Sequence, residues 1–190
     1  MRDYNEAMVD IESLDTEDTA IVYQVGVIVF NQGEMIHSRE FNLPIQEQID
    51  AGRTISESTL AFHMRSPAGL YNSMHHGFRD SARSVLEHLT QVAQGFKPKY
   101  WWSKGDFDYS VLEDLFGGKD QVPWQWYQKM ELRTMIRETD IERLEANHTA
   151  VRDCLIQLAQ LNECRRVIDG ATRSEGEEGD IETGAQSDTE

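Results

Sequence analysis

The pattern of apolar residues divides the chain into a strand-rich start and a mostly helical remainder. Residues 20–30 (AIVYQVGVIVF) are rich in β-branched side chains and predict a strand, and residues 35–43 predict its return strand after a turn at 31–34. The apolar segment at 6–13, interrupted by two acids, predicts one more strand. We therefore expect three meandering strands at the start of the fold.

Helical spacing of apolar residues dominates after Pro44. A short buried strand is expected at 99–103, and residues 123–130 predict an aromatic helix or an irregular segment. Predicted helices cover about 56–64 (ended by Pro67 and Gly69), 78–96, 107–116, 131–138 and 147–165 (with Asn147 as N-cap). A hairpin followed by alternating helix and strand predicts an α/β fold with a mixed central sheet flanked by helices.

The C-terminal end differs in composition from the rest of the chain. Residues 169–190 carry eight acids against one arginine and have no apolar period, so we expect a disordered acidic tail after one folded domain at 1–168. The tail holds −7 of the net charge of −16, which leaves −9 for the domain. This balance argues against tight, sequence-independent binding of a nucleic-acid duplex, which normally relies on a basic surface.

The sequence also predicts where the protein works. No apolar run reaches the roughly 18–20 residues of a membrane span, and the charged N-terminus is unlike a signal peptide. Cys154 and Cys164 are ten residues apart in one predicted helix, about 15 Å, which is too far for a disulfide. We therefore expect a cytoplasmic protein without a membrane partner.

Candidate chemistry lies in scattered acids and one histidine. Asp10 and Glu12 form a D-x-E pair, and on a strand alternate residues point to the same face. A partly buried face of this kind is unfavourable unless a cation or hydrogen-bond donors neutralise it. Hard divalent ions such as Mg²⁺ and Mn²⁺ prefer such all-oxygen sites, so the pattern indicates a metal-dependent phosphodiester site.

Taken singly, each of these residues also has an ordinary explanation. Asp108 fits the N-terminus of a helix, and Asp106 in the same GDFD segment competes with it for any functional role. Asp153 fits a helix surface, and His148 fits a first helical turn that faces water. Only the joint arrangement favours a site.

The arrangement resembles the DEDDh branch of the DnaQ-like 3′–5′ exonucleases, which have a ribonuclease H-like fold. The resemblance is carried by D-x-E at Asp10 and Glu12, by Phe107 followed by Asp108, and by H-x-x-x-x-D at His148 and Asp153. It extends over about residues 6–165 and is strongest to small phage and bacterial members. Ser13-Leu14-Asp15 and Ser103-Lys104 depart from common family residues at substrate-contacting positions, so the substrate preference stays open.

The resemblance implies a role for each residue. Two Mg²⁺ or Mn²⁺ ions would act, with Asp10 bridging both, Glu12 and Asp153 on the ion that carries the attacking water, and Asp108 on the second. His148 would be the catalytic base that takes the proton from that water. Substrate-binding candidates for the terminal sugar and base are Ser13, Leu14 and Phe107, the last by stacking.

The implied function is a 3′–5′ exonuclease that releases nucleoside 5′-monophosphates from DNA or RNA 3′ ends, with a preference for single strands. Whether the chain forms a homodimer is left open. An alternative is an acidic protein that mimics nucleic acid, or a non-catalytic binding protein. A mimic would spread its carboxylates over the surface, whereas an enzyme needs Asp10, Glu12, Asp108 and Asp153 to converge.

Overall fold

A computed structural model describes residues 3–65, 68–75, 78–146 and 148–178, and it has the expected α/β architecture. Helices flank one five-stranded mixed sheet. The strands are β1 (Asn5–Ser13), β2 (Val22–Asn31), β3 (Glu34–Asn42), β4 (Trp101–Ser103) and β5 (Lys129–Glu131). The helices are α1 (Ile45–Asp50), α2 (Glu57–Arg65), α3 (Ala68–His75), α4 (Ala82–Phe96), α5 (Asp106–Leu115), α6 (Leu132–Thr139) and α7 (Ala150–Glu178).

The sheet has the order β3-β2-β1-β4-β5 and places β1 at its centre. The first three strands form the predicted antiparallel meander, and β4 and β5 continue the sheet in parallel with β1. In this register Asp10 lies opposite Gly26, and Glu12 lies opposite Gln24. A central strand is covered on both faces, so the two acids of β1 are held inside the fold.

Two hydrophobic clusters cover the two faces of β1. Val9 and Ile11 belong to the cluster under α4 and α5, whereas Met8 belongs to the cluster under α6 and α7. Because side chains alternate along a strand, Asp10 and Glu12 share the face of Met8. Both acids therefore point toward the layer that contains α7.

A glycine on β2 allows α7 to lie directly on the sheet. A Cβ atom at Gly26 would be 2.4 Å from the carbonyl carbon of Ala150 and 2.5 Å from the nitrogen of Val151. Such distances are impossible without moving the backbone, so only glycine fits here. This close approach brings the first turn of α7 over the acids of β1.

Several boundaries differ from the sequence-based expectation. The short elements α1, α3 and β5 were not predicted, and Gly69 lies inside α3 instead of ending α2. Helix α7 begins at Ala150, not at residue 147, and it continues to Glu178, into the predicted tail. A helix nucleated on the sheet propagates readily through Ala, Arg and Glu, which have high helix propensity. Asn147 and residues 179–190 lie outside the described residues, and the domain boundary at 168 stays a prediction.

Both cysteines are buried and unpaired, as their spacing on one helix predicted. Among the residues that the structure describes, no helix is both long and apolar enough to span a membrane.

Candidate metal centre and active site

The D-x-E pair on β1 is buried with little solvent contact. Asp10 and Glu12 are 8% and 7% exposed, and Asp108 and Asp153 are equally buried at 7% and 5%. Buried carboxylates are costly unless they are paired or bound to a cation. Their burial therefore needs a chemical explanation.

Another acid of the same strand has its own cation. The carboxylate of Glu6 is 2.6 Å from the guanidinium of Arg165, and the indole nitrogen of Trp102 donates to it at 2.7 Å. Within the described residues, neither Asp10 nor Glu12 forms an ion pair with a basic side chain. The fold thus neutralises one acid internally and leaves the D-x-E pair without a cation of its own.

Helix α5 supplies the third acid at its first turn. The backbone nitrogen of Ile11 on β1 donates to Oδ1 of Asp108 at 3.3 Å, which fixes this carboxylate beside the D-x-E pair. Asp106 is exposed and lies 3.5 Å from Nζ of Lys129. The structure therefore brings Asp108, not Asp106, to the acidic cluster.

We expect Asp108→Asn to lower the nuclease rate by well over tenfold and Asp106→Asn to lower it by less than about twofold. The first change removes a buried carboxylate that is positioned to bind a cation, and the second removes an exposed charge with one weak pair. The measurement is kcat on a labelled single-stranded oligonucleotide for both variants. A large loss confined to Asp106→Asn would reverse the assignment.

The fourth acid and the histidine come from the start of α7. Oδ2 of Asp153 accepts a hydrogen bond from the backbone nitrogen of His148 at 3.0 Å. His148 precedes α7 and has a left-handed backbone, with φ of 57°. The direction of its ring is therefore not set by the regular geometry of the helix. Ligand atoms of Glu12, His148 and Asp153 lie within 4.8 Å of one another, a spacing that fits one metal ion.

Burial, together with repulsion from neighbouring acids for Asp10 and Glu12, raises the pKa of three of these carboxyl groups. Burial, followed by the charges of Asp108, Glu12 and Asp153, holds the pKa of Asp10 well above its ordinary value. Burial and the neighbouring Asp153 raise the pKa of Glu12 from 4.5 to about 8. Burial raises the pKa of Asp108 to about 6, against hydrogen bonds that favour its charged form. The cluster therefore favours binding of protons or of cations.

Three residues that the sequence did not single out hold these acids in place. Gln157, one turn after Asp153, donates its amide to Oδ1 of Asp10 at 2.6 Å. The hydroxyl of Tyr23 donates to Oε2 of Glu12 at 3.3 Å and lies 3.4 Å from Nδ1 of His63. His63 in turn donates from Nε2 to the carbonyl of Ser13 at 2.9 Å. Helical spacing from Asp153 was the one signal that could have indicated Gln157.

In a chelating buffer, Glu12→Gln should stabilise the protein more at pH 8 than at pH 5. A carboxyl with a higher pKa in the folded protein than in the unfolded chain binds more protons when folded. Its contribution to stability is therefore full below about pH 4.5 and is lost as the pH rises through about 8. The measurement is the free energy of unfolding of both proteins at the two pH values.

The matched control for that measurement is Glu47→Gln, which removes an exposed acid on α1. This variant should change the pH dependence of the free energy of unfolding little. An identical pH dependence for wild type and Glu12→Gln would show that Glu12 is not held in a destabilised charged state.

Two of the three substrate-binding candidates line a cleft beside Glu12, and the third, Leu14, does not. Ser13 and Phe107 line a cleft of about 350 Å³ together with Glu12, Thr59 and Phe62. The Leu14 side chain is 3% exposed and packs inward with Ile21 and Tyr23. Its carbonyl accepts from the nitrogen of Ser56 at 2.9 Å, which ties the end of β1 to the segment before α2.

The convergence of the four acids argues against the mimic alternative. A mimic would present its carboxylates to solvent, whereas Asp10, Glu12, Asp108 and Asp153 are buried and interact with one another. Carboxylate oxygens in this number are the donor set that Mg²⁺ and Mn²⁺ prefer. The residues present thus fit a divalent metal centre.

Comparison with protein families gives a match over most of the chain. The 3'-5' exoribonuclease Rv2179c-like domain family matches residues 5–164, which include every candidate site residue. Comparison with curated proteins gives no match.

Solved structures of nucleases have the same fold. S. pombe Pop2p, in its Mg²⁺- and Mn²⁺-bound form, superposes with a TM-score of 0.57 at 13% identity, over 85% of this chain and 83% of that chain. The zinc-bound complex of E. coli exonuclease I with single-stranded DNA gives 0.61 at 13% identity, over 90% and 43%. The chain therefore spans less than half the length of exonuclease I. At these identities the likeness concerns the fold alone, and it confirms the predicted ribonuclease H-like fold.

Proposed function

This chain belongs to the family of 3'-5' exoribonuclease Rv2179c-like domains, and from that premise we propose a metal-dependent 3′–5′ exonuclease that acts on single-stranded RNA ends. The observation that carries the proposal is the convergence of four buried carboxylates, two of them without a cation among the described residues, beside His148. The family description favours RNA as the substrate, whereas exonuclease I is solved with single-stranded DNA. The cleavage of DNA is thus the second activity to test.

The donor set supports a site for two divalent cations. Asp10, Glu12 and Asp153 would hold one ion, and Asp10 and Asp108 the other. When bound, such ions activate a water molecule and stabilise the leaving 3′ oxygen. Gln157 and Tyr23 orient two of these carboxylates through the hydrogen bonds described above.

His148 would accept the proton of the attacking water. Its ring nitrogen lies within 4.8 Å of ligand oxygens of Glu12 and Asp153, so one water molecule between them can reach both. The ring of Phe62 contacts the imidazole edge-on, with centroids 4.9 Å apart, and limits its movement. The product would be a nucleoside 5′-monophosphate.

The cleft next to Glu12 would receive the terminal nucleotide. Phe107 can stack on the base, and the hydroxyl of Ser13 can bind the sugar. Leu14 would act only indirectly, because its side chain packs inward with Ile21 and Tyr23 and its carbonyl holds the backbone of Ser56. The buried free cysteines support a reducing, cytoplasmic location. Light scattering can test whether the chain forms a homodimer, which the sequence leaves open.

The function is tested with 5′-labelled single-stranded RNA and DNA of one sequence, incubated with Mg²⁺, Mn²⁺ or a chelator. We expect a ladder that shortens from the 3′ end, faster for RNA, and no reaction in the chelator. Asp153→Asn is the control for a contaminating nuclease. Cleavage from the 5′ end, or cleavage in the chelator, would overturn the proposal.

A further inference from the structure

A second, larger cleft lies next to the Ser13 cleft, since Phe62 lines both. Its volume is about 730 Å³, within the range of ordinary ligand-binding clefts. It shares Lys104, Ala146, His148 and Gln160 with the small cleft of about 170 Å³ that contains Asp10, Glu12 and Asp153. The large cleft is therefore continuous with the catalytic site.

The charge of this cleft is opposite to the charge of the chain. Among the described residues, four basic side chains line it against one acid, Glu145, although the net charge of the protein is −16. The four are Lys104, Arg133, Arg137 and Arg143. Within the described part of the chain none of them forms an ion pair, whereas Arg39, Arg53 and Arg165 elsewhere do. Basic side chains without acidic partners in an acidic protein indicate an anionic ligand.

The cleft also offers apolar surface for bases. Phe62 and Leu144 line it and are each 45% exposed. Phe62 lies between this cleft and the Ser13 cleft, since it lines both. A groove that combines basic side chains with an exposed aromatic ring is typical of single-strand binding, because phosphates and bases are contacted together.

We propose that this basic cleft binds the nucleotides immediately 5′ of the scissile phosphate in a single-stranded polynucleotide. The inference rests on the proposed function, which places the terminal nucleotide in the Ser13 cleft and the scissile phosphate at the acids. The rest of the strand then needs a different cleft that adjoins the acids, and the basic cleft adjoins them through Lys104 and His148. The cleft gives an acidic enzyme a local site for the phosphate backbone.

The test uses the double variant Arg137→Gln, Arg143→Gln. Lys104 is kept because it also lines the catalytic cleft, and Arg133 is kept because its charge lowers the pKa of Asp108. The substrates are a 5′-labelled RNA of about twelve nucleotides and a dinucleotide, which has no phosphate 5′ of its scissile bond. We expect the ratio of kcat/KM for the long RNA to that for the dinucleotide to fall about tenfold, the scale of two exposed charge contacts.

Salt dependence gives an independent readout. Loss of two phosphate contacts should reduce the slope of log KM against log salt by about 1.4 for the long RNA. The matched control is the double variant Lys97→Gln, Lys119→Gln, which removes the same charge from exposed residues outside the cleft. It should leave both the ratio of kcat/KM values and the salt slope of KM as in wild type. If the arginine double variant melts early, Arg143→Gln alone, in the segment between α6 and α7, repeats the test with half the change in slope.

The outcomes separate the two proposals. A wild-type protein that cleaves neither substrate contradicts the proposed function itself. A protein that cleaves both, with an unchanged ratio in the arginine variant, overturns the basic cleft alone. An equal loss on both substrates also overturns it, because the arginines would then act on the catalytic step.

Discussion

Asp10→Asn and Asp153→Asn should each lower the nuclease rate by more than about 100-fold, which is the upper range for residues that only orient a metal ligand. Asparagine keeps the shape of the side chain but loses the negative charge that a divalent cation needs. In a chelating buffer the Asp10→Asn protein should be more stable than wild type, because burial and three neighbouring acids disfavour the charged form of Asp10. The measurements are kcat and the melting temperature with chelator and with Mn²⁺.

Asp80→Asn is the matched control for the change at Asp10. Asp80 is as buried as Asp10, at 8% exposed, but it lies 3.8 Å from the guanidinium of Arg39 and accepts from the nitrogen of Asn42. Loss of this charge in Asp80→Asn should reduce the stability of the protein and leave its nuclease rate near that of wild type. Mn²⁺ should raise the melting temperature of wild type by binding the native state, and should do so much less for Asp10→Asn. Near wild-type turnover by either site variant would contradict the ligand assignment.

The sequence predicted the central part of the fold because strong local patterns agree with the final packing. The β-branched run of β2 lies in the middle of the sheet, and the apolar stripe of α4 faces the larger core through Val85, Leu89 and Val92. The three-residue strand β5 carries little local signal, and it is a strand because it pairs with β4.

Two helices were missed because side chains distant in sequence stabilise or shape them. Gln48 of α1 donates to the carbonyl of Val22 at 2.7 Å and accepts from its nitrogen at 2.9 Å, so a contact across 26 residues anchors this short helix. Gly69 was interpreted as a helix end. It lies within α3, where a Cβ atom would be 2.1 Å from the carbonyl oxygen of His148. Glycine is needed there for close packing, not for a turn.

The candidate site was predicted as a set of acids and one histidine, but not as a hydrogen-bonded network. A D-x-E pair on a strand and an acid at a helix start can be identified from spacing. The contact of Gln157 with Asp10 spans 147 residues, and that of Tyr23 with His63 spans 40. Apart from the helical spacing of Gln157 from Asp153, nothing local in the sequence indicates such pairs. The basic cleft was missed for the same reason, since the net charge of the whole chain conceals four clustered cations.

His148→Ala should lower kcat by roughly 10²–10⁴ while the rise in melting temperature with Mn²⁺ persists, because a general base contributes on that scale and the carboxylates remain. His148→Asn is the better-matched variant, since asparagine tolerates the left-handed backbone at φ of 57°. The wild-type rate should increase with pH, because a general base must be unprotonated to accept a proton. In both variants the increase due to this base should be absent, and the rate should instead be proportional to the hydroxide concentration.

These measurements also separate a proton acceptor from a metal ligand at position 148. The ring nitrogen lies close enough to ligand oxygens of Glu12 and Asp153 for either role. If His148 binds the metal, both variants should lose the Mn²⁺ effect on melting together with the rate. His75→Asn, which removes an exposed imidazole that stacks on Tyr71, should change neither the rate nor the profile. An unchanged pH profile in His148→Asn would assign the deprotonation to another group. Among the described residues, His148 is the imidazole that shares a metal-binding spacing with two acids.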